Sequence, residues 1–162
     1  APAIMSAEAQ LTAKLAELGI ELPPVPEPKG LYKPTITVGN LLYTSGHLPV
    51  DASGTITTGR VGAELDVAAG YKAAQWVGLN ILATLRKTLG SLDKVRRVIK
   101  ILGVVNCTAE FTQQPAVVNG CSELFADVFG RDAGVGARSA VGTNTLPLGV
   151  PVEIEAIFEI VA

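Results

Sequence analysis

Arg138 stands alone in an otherwise uncharged run from Ala133 to Val152, and an alternating segment carrying carboxylates follows it. A planar cation fixed by backbone on both sides suits two-pronged capture of a small carboxylate. From Val150 to Ile160, alternation puts Val150, Val152, Ile154, Ala156, Phe158 and Ile160 on one face of a strand, and Glu153, Glu155 and Glu159 on the other. A cation and several carboxylates are therefore expected to meet on one side of a sheet. There a carboxylate whose proton affinity is raised by burial or by a like charge can act as acid or base. A plainer pairing of Arg138 with a strand glutamate across a hairpin fits the same pattern.

The remaining reactive residue types point less sharply. His47 can serve as a general base, because an imidazole titrates near pH ~6.5, and its place after a strand is equally that of an ordinary loop histidine. Cys107 and Cys121 lack CxxC spacing and have no histidine nearby in sequence, so two buried free thiols in a reducing compartment are expected rather than a metal site or a disulfide. Tyr71 and Trp76 fall on different faces of one helix and read as packing residues. Asp51 and Asp66 read as turn and helix-start residues.

The whole chain must supply the scaffold for these groups. It has 162 residues, 48 % of them hydrophobic, enough for one core without staples. Thirteen basic and fifteen acidic residues leave a formal charge of −2, and the basic cluster Lys94, Arg96, Arg97 and Lys100 carries no interleaved aromatics, so nucleic acid is not an expected partner. The most apolar helical stretch, Ala73 to Leu85, is interrupted by Gln75, Asn80 and Thr84, and no membrane span is expected. Residues 1–6 show no basic region followed by an apolar run, which makes the cytoplasm the expected address.

Ser6 can cap a first helix, with Leu11, Leu15 and Leu18 at helical spacing and Gly19 as its stop. Prolines 23, 24, 26 and 28 then make an extended connector, so residues 1–30 read as a short amphipathic attachment and 31–162 as a single domain. Thr35–Val38 and Leu41–Ser45 flank Gly39-Asn40 as a hairpin. An apolar stripe from Val67 to Leu89 marks a long helix ending at Gly90, and Val95 to Val105 a buried strand. Pro115 opens another helix closed by Gly130, and strands follow Gly136 and start at Val150. The order ββ, α, β, α, ββ specifies an α+β fold, a mixed sheet with two helices on one face. Its other face, where Glu153 and Glu155 point, needs water or a partner.

In that order of elements lie Gly39-Asn40, Thr44-Ser45-Gly46-His47-Leu48-Pro49-Val50, Val118-Asn119, Ala137-Arg138-Ser139 and Glu153-Ile154-Glu155-Ala156. Together these motifs resemble the Rid family of reactive enamine/imine deaminases, also called the YjgF family, over roughly Leu31 to Val161. The resemblance implies the chorismate-mutase-like fold, a mainly antiparallel mixed sheet, and a homotrimer with ligand clefts between subunits. It implies hydrolysis of 2-enamine/2-imine acids to 2-keto acids and ammonia, with no cofactor and no metal. By the same resemblance Arg138 holds the substrate carboxylate, Glu153 positions or activates water, and Tyr32, Ser45, Gly46, His47 and Asn119 line the cleft. Ala140 stands where many relatives have cysteine, and His47 where a glutamine is familiar. A non-catalytic trimer that binds small carboxylates is the alternative.

Overall fold

A computed structural model describes residues 5–161 of the chain. Residues 1–4 and Ala162, the outer ends of the two expected segments, lie outside the described residues. Helix α1 spans Ala7–Leu18, capped by the Ser6 hydroxyl, which accepts from the Ala9 amide at 3.1 Å, and stopped by Gly19 at φ 65°. Helix α2, Val67–Leu89, starts where the Asp66 carboxylate accepts from the Ala69 amide at 2.8 Å, and ends at Gly90. Helix α3, Gln114–Phe129, carries Pro115 in its first turn, where the missing N–H costs nothing.

Five strands form one sheet: β1 (Thr35–Val38), β2 (Leu41–Thr44), β3 (Val95–Asn106), β4 (Ala137–Thr143) and β5 (Val152–Ile160), in the spatial order β1-β2-β5-β3-β4. Only β3 and β4 run parallel, as a connection through α3 requires; the other neighbours are antiparallel. The mixed, mainly antiparallel α+β architecture is the expected one.

Helices α2 and α3 cover one face. The inward residues of β5, Val152, Ile154, Ala156 and Phe158, pack there with Ile101 and Val105 of β3 and with Val118, Leu124 and Phe125 of α3. Phe125 and Phe158 meet edge to face with centroids 5.7 Å apart. Bare glycines bring α3 in close. A Cβ on Gly120 would collide with the Tyr71 carbonyl of α2, and one on Gly103 would lie 2.5 Å from Val118. Position 119, next to that contact, is thereby held at a set depth beside the sheet.

Helix α1 is sealed into this same core rather than resting on it. Leu11 is fully buried, a contribution of about 1.5–3 kcal/mol. The Glu8 carboxylate accepts from Arg86 at 3.1 and 2.6 Å and from the Leu92 amide at 3.0 Å, and Lys14 meets Asp127 at 3.0 Å. Cys107 and Cys121 are free and buried, and among the described residues no helix is long and apolar enough to cross a membrane.

Candidate active site

The β4 edge positions Arg138. Its register partner is Ile101, itself opposite Ala156 on β5, so the Arg138 side chain leaves the sheet on the helix-covered side. There Nη1 donates to Asn119 Oδ1 at 2.7 Å and to Ser122 Oγ at 3.1 Å. Asn119 and Ser122 are three apart on α3 and so share its face. Among the described residues Arg138 makes no ion pair, and its Nε and Nη2 have no hydrogen-bond partner. Pairing with a strand glutamate across a hairpin is ruled out by topology, because β3 lies between β4 and β5.

Glu153 occupies the opposite face. It pairs with Val104, and its side chain lies across the Gly46 α-carbon: a Cβ at Gly46 would run into the carboxylate and sit 2.9 Å from Cδ. Only glycine leaves room for that seat. Partial burial, and secondarily the charge of Glu155 two residues on, push the Glu153 carboxyl above the usual carboxylate range. The expectation that cation and carboxylates share one side of the sheet is therefore corrected. The alternation of β5 was read rightly, but the β3–β4 register turns Arg138 to the other side.

Ser45 holds the loop between these groups and the chain start. Its amide donates to the Pro34 carbonyl at 2.9 Å and its hydroxyl to the Lys33 carbonyl at 2.5 Å, which anchors the segment carrying the half-exposed Tyr32. Two hollows lie elsewhere. One of about 440 Å³ sits at the start of α2, around Gly62 to Asp66, and one of about 440 Å³ between the proline connector and α2, around Pro26 and Lys87. Neither touches Arg138 or Glu153. Within one chain, the arginine and the glutamate are each partly exposed.

This arrangement can be set against known proteins. Residues 12–157 match the family described as "YjgF/chorismate_mutase-like, putative endoribonuclease". The chain belongs to the YjgF/Rid family. It is 40 % identical over 154 residues to Protein TCP17 of Trypanosoma cruzi, covering 95 % of this chain and 96 % of that protein. Its fold is similar to the crystal structure of Atu1372, a protein of unknown function from Agrobacterium tumefaciens, at 45 % identity and a TM-score of 0.85 over 95 % of this chain and 94 % of that one. RidA from the Antarctic bacterium Psychrobacter is 30 % identical, with a TM-score of 0.59 over 87 % of this chain and 98 % of the other. The family match begins inside α1.

Against this Rid-family frame the seven candidate residues fall into groups. Arg138 and Asn119 are in direct contact; Gly46 and Glu153 are in direct contact; Ser45 anchors Tyr32 through Lys33. His47 stands apart. Its ring is buried on the helix side against Thr84 of α2, where no ligand on the open face reaches it. Ser122 was not among the sequence candidates, although its i+3 relation to Asn119 is the signal that finds it.

Proposed function

We propose that this chain hydrolyses reactive 2-enamine/2-imine acids to 2-keto acids and ammonia, in clefts shared between subunits of a homotrimer. The carrying observation is Arg138, tethered by Nη1 to Asn119 and Ser122 while Nε and Nη2 stay uncommitted. A guanidinium aimed in this way offers a rigid fork to a small carboxylate. An α-imino acid places that carboxylate beside a C=N carbon already electrophilic enough for water to attack.

Glu153 takes a proton from that water as its oxygen bonds to the imine carbon and passes it to the nitrogen, giving a carbinolamine. It then carries the proton of the carbinolamine hydroxyl to the nitrogen as the C=O bond forms, the C–N bond breaks and ammonia leaves. A carboxyl with raised proton affinity is suited to both transfers. The Gly46 N–H, which has no partner among the described residues, is available to the developing oxygen charge.

Because Arg138 and Glu153 lie on opposite faces of their own sheet, they can serve one ligand only if the arginine edge of one subunit meets the glutamate face of another. Exposed apolar side chains favour such an assembly. Ile36 (48 % exposed), Val38 (63 %), Tyr43 (42 %) and Val141 (46 %) all share the Glu153 face. Glu153, Glu155 and Glu159 make the same face unsuited to a phosphate backbone. The free buried thiols fit a reducing, cytoplasmic setting.

The test is keto-acid release when the purified protein is added to an imine freshly generated by a pyridoxal-phosphate enzyme, with imine decay in buffer as reference. Accelerated release supports the reading. Thermal stabilisation by a 2-keto acid without acceleration replaces it with a binding role.

A further inference from the structure

We infer that His47 is a positioning residue: braced by Thr84, it fixes the Ser45–Gly46 peptide so that the Gly46 N–H and the Glu153 carboxylate face one space on the open side of the sheet. His47 Nδ1 lies 2.7 Å from the Ser45 carbonyl and Nε2 lies 2.8 Å from the Thr84 hydroxyl. A carbonyl oxygen only accepts, so Nδ1 carries the proton. In the neutral ring Nε2 then accepts, and the Thr84 hydroxyl donates to it. The ring is 5 % exposed and Thr84 2 %, so the relay is shut off from water. Burial also holds the imidazole below its ordinary range, against the opposing effect of the Ser45 bond, which keeps the ring neutral.

The consequence follows from peptide geometry. In a planar trans peptide the C=O and the next N–H point in opposite directions. His47 draws the Ser45 carbonyl toward the helix side, so the Gly46 N–H of the same peptide points to the open face. The flanking backbone is clamped there as well: His47 N–H donates to the Ile154 carbonyl at 2.9 Å and Ile154 N–H returns the bond at 3.2 Å. That antiparallel bridge brings the loop onto β5 with Glu155 opposite Gly46, and the Glu153 side chain reaches diagonally across to the Gly46 α-carbon. Glu153 is thus covered on one side by a peptide whose orientation a buried histidine decides. Directly against Glu153 stand Gly46 from the loop and Val104 from β3; the titratable and charged groups on that face include Glu155 and Glu159 of β5, Arg97 and Lys100 of β3 and Tyr43 of β2.

The effect on turnover rests on the deaminase reading, whereas the geometry does not, and the experiment separates the two. The Glu153 side-chain carboxyl is titrated by ¹³C NMR in the assembled wild-type protein and in His47→Gln, Thr84→Val and Thr84→Ser, with kcat and KM for imine hydrolysis measured alongside. Valine keeps the shape of Thr84 without the hydroxyl; serine keeps the hydroxyl. Loss of the brace lets water past Gly46, so in His47→Gln and Thr84→Val the Glu153 midpoint falls toward the ordinary range. In both, kcat drops about tenfold with KM little changed. Thr84→Ser behaves as wild type. If His47→Gln fails to fold, the Thr84 pair decides alone. A wild-type midpoint in Thr84→Val, or an equal fall in Thr84→Ser and Thr84→Val, overturns the inference whether or not the protein hydrolyses imines. A fallen midpoint in a protein that hydrolyses none upholds the positioning and removes the deaminase reading.

Discussion

The two faces of the sheet are built to different rules. On the helix side, the large side chains of β3 and β5 lie against α2 and α3, and most buried polar groups there are paired, His47 with Ser45 and Thr84 and Asn106 with Arg60 and the Val150 carbonyl, while Asn80 of α2 leaves its Oδ1 without a partner among the described residues. On the open side Ile36, Val38 and Tyr43 are exposed beside three glutamates, and Glu153 sits half-buried with no hydrogen-bond partner among the described residues. On the proposed reading the contrast makes Arg138, at the rim of the helix-covered face, and Glu153, on the open one, two half-sites that a partner subunit would bring together.

The largest expected effect comes from blunting the arginine half. Arg138→Lys retains the charge but replaces a fork by a point ammonium, and 2-keto-acid binding should weaken by about 2 to 3 kcal/mol, or roughly 30- to 150-fold, by calorimetry. Unchanged affinity would remove Arg138 from the site. The glutamate half should respond differently. Glu153→Gln keeps shape and 2-keto-acid binding and should slow hydrolysis about 10²-fold at saturating imine supply. If the halves belong to different subunits, mixing the two variants under exchange conditions restores a fraction of wild-type sites; failure of exchanged mixtures to regain activity would place both halves in one chain.

Much of this division was legible in the sequence, though not its key relation. Ser6, Asp66, Pro115 and the stop glycines mark the helix ends through cap chemistry that acts within a few residues, and the alternation along β5 names its two faces. Which face Arg138 shares depends on the register of β4 against β3, and a shift of one residue would have reversed it. The uncharged run around Arg138 holds no periodic signal that fixes that register. His47 was ambiguous for a related reason: its partner Thr84 is 37 residues away and reads in sequence as a break in an apolar helix. Burial of α1 likewise depends on distant groups, Arg86, Leu92 and Asp127, that local amphipathicity does not reveal.

A smaller effect tests the helix-covered face. The Arg86 bond, aided by the Leu92 amide and opposed by burial, holds the Glu8 carboxyl below its usual range. A depressed folded value means that Glu8 stabilises above its unfolded value and loses that contribution as pH falls through the folded one. Glu8→Gln should therefore cost about 1 kcal/mol in urea unfolding at neutral pH, kept modest because water reaches Arg86. The gap to wild type should close in acid. A gap that persists at low pH would assign the loss to packing of α1 rather than to charge.

The smallest effect discriminates most finely between the causes acting on Glu153. Burial is the larger contributor to its raised proton affinity and Glu155 the lesser, so the acid limb of the pH–rate profile should lie above the ordinary carboxylate range in wild type. Glu155→Gln removes the like charge and leaves the Gly46 cover in place, which should move that limb down only part of the way while the rate at neutral pH stays near wild type. Stability must agree in sign. A carboxyl raised in the folded state loses stability as pH climbs from its unfolded to its folded value, so Glu155→Gln should be slightly more stable than wild type above that window and equal to it below. A limb that does not move at all would mean that some other group titrates in turnover. A limb that falls all the way to the ordinary range would mean that charge, and not the glycine-lined seat, tunes Glu153.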